Sequence, residues 1–99
     1  MSIMPVKEST QQQIDVLLEE EIDTGYRLIL HNDEVNTFDW VIISLVEVCG
    51  HNHLQAKQIA YIVHFKGKCI VKEGSFDDLM PQKDALSERG LQVTIEKDQ

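Results

Sequence analysis

Long hydrophobic runs, metal-spaced cysteines and clustered bases are all missing from this 99-residue chain. No apolar stretch approaches the roughly 18 residues that a membrane span requires, so no membrane partner is expected. The opening MSIMPVKESTQQQ lacks both the basic region and the long apolar segment of a secretion signal, and a cytoplasmic setting is expected. Only two cysteines occur, Cys49 and Cys69, each inside an apolar segment; they read as reduced, buried, small apolar residues. Nine Lys and Arg against seventeen Asp and Glu leave a net charge of −8. Nucleic acid is therefore not an expected partner, because a phosphate backbone needs clustered bases to displace its counterions. Catalytic signatures are missing too. There is no G-x-S-x-G elbow, no phosphate-binding glycine loop, no H-E-x-x-H and no C-x-x-C, so neither catalysis nor a cofactor is expected.

What is there fits one small globular domain, with 42% apolar residues and a charge that is unevenly spread. Residues 1–24 hold six acids (Glu8, Asp15, Glu19, Glu20, Glu21, Asp23) and one base, Lys7, for a net of −5. Pro5 and the aperiodic ESTQQQ argue against regular structure there, and IDVLLEEEID is too short for a stable isolated helix. Residues 1–24 thus read as a flexible acidic extension: a solvated leader, or an arm that another protein grips. The folded core is expected over residues 25–99.

Within that core, YRLILH (26–31) alternates as a strand with Tyr26, Leu28 and Leu30 on one face. NTFDWVIISLVEVCG reads as a helix, with Asn36 as N-cap, Asp39 answering it, and Gly50 as the stop. Its apolar stripe is Phe38, Val41, Ile42, Leu45 and Cys49. A second helix follows, capped by Asn52 with Gln55 three residues on, its apolar side at Ile59, Ile62 and Val63. KCIVKE (68–73) is a second strand. SFDDLMPQKDALSERG is a third helix, kinked at Pro81 or with its main body starting near it. LQVTIEK is the last strand. The order β-α-α-β-α-β predicts an α+β fold: a two-layer α/β sandwich, its three-stranded, mainly antiparallel sheet carrying helices on one face.

The densest chemistry lies in LHNDEVNTF, residues 30–38. Turns and caps use one or two Asx residues, yet Asn32, Asp33, Glu34 and Asn36 crowd four oxygen-bearing side chains into five positions. Such a loop on a rigid scaffold points to binding, and its acceptors suit a cation rich in hydrogen-bond donors, such as an ammonium group. His64, between Val63 and Phe65 on an apolar helix, is the other conspicuous polar residue.

Taken together, YRLILHNDEVNTFDWVI, then VHFKGKC, then LQVTIEK resemble the ClpS family. These adaptors deliver N-degron substrates to the AAA+ partner of the Clp protease. The resemblance spans roughly residues 25–98 and implies binding and hand-over, not catalysis. It implies that Asn32 and His64 accept hydrogen bonds from a substrate's α-ammonium group, largely protonated near pH 7, while Asp33 adds negative charge. An accepting His64 must keep one ring nitrogen free, so binding is expected to weaken as the ring protonates. It further implies an apolar pocket for the first side chain, typically Leu, Phe, Tyr or Trp, walled by Phe38, Val41, Ala60, Val63 and Leu91, with Glu34 and Asn36 at the rim.

Two positions depart from the family pattern. Phe38 and Ala60 stand where many relatives carry methionine, so Ala60 opens room for a β-branched first residue while Phe38 favours aromatic ones. The last helix is also shorter than in relatives and carries Pro81. Family contacts to the unfoldase, of ClpA-like or ClpC-like type, lie near that helix's start, which nominates Asp78 and Lys83. The acidic leader matches the family's flexible extension. The competing readings are a small metal-binding or catalytic domain using His31, His51, His53 and His64, and an interaction domain of similar fold.

Overall fold

A computed structural model describes residues 23–98; the acidic segment of residues 1–22 lies outside the described residues, as does Gln99. The chain runs β1 (Tyr26–His31), α1 (Phe38–Cys49), α2 (His53–Lys66), β2 (Lys68–Gly74), α3 (Phe76–Glu88) and β3 (Gln92–Lys97). The sheet order is β2-β1-β3, and both pairings are antiparallel. This is the α+β arrangement that the alternation and periodicity predict.

The central strand explains the layering. Leu28 and Leu30 of β1 are buried together with Val93 of β3, Val71 of β2, Ile42 and Leu45 of α1, Ala56, Ala60 and Val63 of α2, and Leu79 and Leu86 of α3. On the opposite sheet face Ile29 is only 4% exposed, flanked by its cross-strand neighbours Ile70 and Thr94. A bulge between Leu28 and Ile29 leaves Val71 without a partner in the β1–β2 register. His51 takes up the slack: its Nε2–H donates to the Val71 carbonyl at 2.7 Å, satisfying an acceptor that a bulge leaves free.

Helix boundaries follow their caps, with three departures from expectation. Thr37, not Asn36, caps α1: its hydroxyl accepts from the Trp40 N–H at 3.1 Å. The capping box Asn52–Gln55 forms on α2 as expected. That helix buries Ala56, Ala60 and Val63, whereas Ile62 faces solvent and Ile59 is half-buried. The third helix begins at Phe76, not near Pro81, and runs through the proline. Ser75 caps it by accepting from the Asp78 N–H, Asp77 and Asp78 suit the positive end of the helix dipole, and Leu79 and Leu86 anchor it in the core. These gains outweigh the single helical hydrogen bond that proline removes. Cys49 is buried but Cys69 only half-buried, and both thiols are free. Burial pushes both thiols up from their usual value, which keeps them protonated near neutral pH.

Candidate functional site

The polar knot leaves β1 where the far end of α2 turns back toward the sheet. Gly67 ends α2 in the left-handed conformation, with φ 94°, and its carbonyl accepts from the Asn32 backbone N–H at 2.9 Å. A side chain would strain at that φ, so glycine is required there for a physical reason. The bond fixes the start of the knot beside the last turn of α2, and that turn carries His64.

Asp33 then organises the loop. Its Oδ1 accepts from the backbone N–H groups of Val35 and Asn36, at 2.9 and 2.8 Å, and its Oδ2 accepts from Asn36 Nδ2 at 2.8 Å. Partial burial pushes the Asp33 carboxyl up, but the hydrogen bonds from Asn36 and Val35 outweigh it and hold the group below its ordinary value. Asp33 is therefore ionised at neutral pH. Asn36 Nδ2 also donates to the Gly90 carbonyl at 2.9 Å, tying the loop to the turn between α3 and β3. Asn36 thus cross-braces the loop instead of capping the helix.

These ties enclose a cavity of about 340 Å³. The polar loop supplies Asn32, Asp33, Glu34 and Asn36; Phe38 and Val41 come from α1; Ala60, Val63 and His64 come from α2. Helical spacing explains the last three, since positions i, i+3 and i+4 share a face. Leu30 and His31 line it as well. Alternation assigns Leu30 to the core, and His31 enters the sequence reading only as a metal candidate; their direct continuity with Asn32 was the available signal.

One nominated pocket residue does not reach the cavity lining, and the two nominated unfoldase contacts lie on α3. Leu91 is 3% exposed in the core, and its N–H donates to the Leu86 carbonyl at 3.1 Å, closing the turn after α3. Asp78 lies exposed in the first turn of α3, and Lys83 sits half-buried further along it. The histidines also part company. His31 Nε2 pairs with Thr94 Oγ1 at 2.8 Å, His51 holds the bulge, His53 starts α2 in solvent, and His64 faces the cavity. Among the described residues, no group of three His, Cys, Asp or Glu is placed to hold a metal ion.

A cavity with acceptors at one end and apolar walls at the other is the architecture of a binding scaffold. Residues 21–94 match the family profile described as ATP-dependent Clp protease adaptor protein ClpS. An ATP-dependent Clp protease adapter protein ClpS from Streptomyces coelicolor is 29% identical over 91 residues, covering 92% of this chain and 95% of that protein. Its counterpart from Oleidesulfovibrio alaskensis is 40% identical over 63 residues, covering 62% of this chain and 61% of that protein. Agrobacterium tumefaciens ClpS2, solved bound to L-phenylalaninamide, superimposes with a TM-score of 0.68 at 22% identity, covering 74% of this chain and 95% of that one. The chain belongs to the ClpS family of Clp protease adaptors.

Proposed function

We propose that the cavity binds the first residue of an N-degron polypeptide, which the chain then presents to a Clp AAA+ unfoldase. The observation that carries this reading is the joining of Asn32, Asp33 and His64 with Phe38, Val41, Ala60 and Val63 around one cavity. The ligand of the A. tumefaciens relative, L-phenylalaninamide, has the matching chemistry: a free α-amine beside a benzyl side chain.

In this reading Asn32 Oδ1 and a free His64 ring nitrogen accept from the ammonium group. Asp33 has both carboxylate oxygens engaged by its own loop, so it acts mainly through its negative field. A neutralised or acylated amine leaves these acceptors unpaired and forfeits the charge-assisted bonds. Burying a large apolar first side chain adds about 1.5–3 kcal/mol, enough to reject small residues. The extension at residues 1–24, Asp78 in the first turn of α3 and Lys83 further along that helix are the proposed contacts to a ClpA-like or ClpC-like unfoldase in the cytoplasm.

Fluorescence anisotropy with peptides starting in Phe, Leu or Tyr tests the site directly. Free-amine peptides should bind, and their N-acetylated forms should lose at least about tenfold in affinity. Equal binding of the acetylated forms overturns the reading.

A further inference from the structure

The cavity leaves the outer face of α2 unexplained. Tyr61 and Phe65 lie one turn apart on it, 46% and 74% exposed. Their rings stack with centroids 6.1 Å apart and planes within 5°. Tyr61 in turn meets Phe38 edge-on, with centroids 4.7 Å apart, and Phe38 lines the cavity. The three rings form one row that starts inside the mouth and ends on open surface. A row of this kind, continuous with a binding cavity, marks apolar area available to the same ligand.

Geometry and charge favour the ligand's own chain as the occupant. The His64 ring centroid lies 4.9 Å from that of Phe65. An extended chain advances about 3.3–3.6 Å per residue, so the second or third residue after an amine held at His64 reaches the row. On the loop side Asp33 and Asn36 are occupied by bonds to Val35, Gly90 and each other, and the loop brings no aromatic ring to the mouth. From Gly50 to Lys68, across α2 and the turn after it, the sequence has no acid but three lysines, Lys57, Lys66 and Lys68. Lys57 precedes Tyr61 by one turn and Lys66 follows Phe65 directly.

We infer that Phe38, Tyr61 and Phe65 form a second subsite. It takes a large apolar or aromatic side chain at the second or third position of the bound polypeptide, with acidic neighbours favoured over basic ones. This rests on the reading of the cavity as an N-terminal-residue site. Phe38 belongs to both parts, Tyr61 orients it, and Phe65 serves the second subsite alone.

The test compares peptides that begin Phe-Gly-Gly, Phe-Phe-Gly, Phe-Phe-Glu and Phe-Phe-Lys by anisotropy competition. The Phe-Phe-Gly peptide should bind about three- to tenfold tighter than Phe-Gly-Gly, the scale of an added aromatic contact, and Phe-Phe-Glu tighter than Phe-Phe-Lys. Phe65→Ser should bring the Phe-Phe-Gly to Phe-Gly-Gly ratio to about one, because an exposed ring is lost without opening the core. Val35, 89% exposed on the loop, is the control: Val35→Ser should leave the ratio intact. A ratio of one in the unaltered protein, with Phe-Gly-Gly still bound through its free amine, overturns the second subsite alone. Loss of the gain in Val35→Ser but not in Phe65→Ser also overturns it, since the chain then leaves over the loop. Failure of every peptide to bind removes both readings. Concentration-dependent dimerisation in sedimentation, abolished by Phe65→Ser and accompanied by a ratio of one, would assign the row to a second copy instead.

Discussion

The Asn32 backbone N–H donates to the Gly67 carbonyl at 2.9 Å, and this one bond joins the end of β1 to the end of α2. It brings two residues from distant parts of the sequence, Asn32 and His64, to the same cavity. Being a main-chain bond, it leaves the Asn32 side chain free to meet a ligand.

Removing either acceptor therefore weakens binding without weakening the fold. Asn32→Ala and His64→Ala should each lower affinity for a Phe-starting peptide by about 10- to 100-fold, the scale of a hydrogen bond to a charged group. Both residues are exposed, so thermal melting should shift by no more than about 2 °C. Anisotropy and calorimetry on the same samples separate the two effects; a matching loss of stability would mean that these residues hold the loop and not the ligand.

Acid should expose the role of Asp33. Its carboxyl is held below the ordinary 3.8 in the folded protein, so near pH 4 the unfolded chain binds more protons than the folded one. The stabilisation is complete above the unfolded value and is lost as pH falls through the lower folded value. Asp33→Asn should accordingly be less stable than the unaltered protein at pH 7, and the gap should close as pH falls below about 4. Urea midpoints across that range provide the check; a gap independent of pH would rule out a charge-based role.

Ser44 is buried at 0% exposure, and its hydroxyl finds no hydrogen-bond partner. A buried, unpaired hydroxyl costs about 1–3 kcal/mol. Ser44→Ala should then raise the denaturant midpoint, by about 1 kcal/mol in stability, while peptide affinity stays constant. A destabilised variant would show that the hydroxyl is engaged in solution.

Ala60 leaves space that a longer side chain would occupy. It is buried and lines the 340 Å³ cavity, so Ala60→Met must project into the room proposed for the first side chain. Affinity for Trp- and Ile-starting peptides should fall at least about tenfold, as expected when a well-filled site is overpacked. Leu, unbranched at Cβ and smaller than Trp, should lose less. Equal losses for all three would argue against a size-selecting wall at this position.

Much of the protein was legible in its sequence because the relevant physics is local. Period-two alternation in YRLILH and LQVTIEK, the Asn52–Gln55 box and the glycines at 50 and 67 define elements from neighbours along the chain. The excess of acceptors between Asn32 and Asn36 also exceeded what a turn requires, and Ala60, Val63 and His64 share a helical face by spacing alone. Tertiary structure decided the rest. Whether Asn36 caps α1 or braces the loop depended on a carbonyl at Gly90, far along the chain. Whether α3 tolerates Pro81 depended on core anchors at Leu79 and Leu86. Leu91 went to the core, and Leu30 and His31 joined the cavity wall, because strand packing sets which side of a residue meets empty space. The aromatic row exists only because α1 and α2 pack side by side and bring Phe38 against Tyr61, a contact that no local pattern encodes.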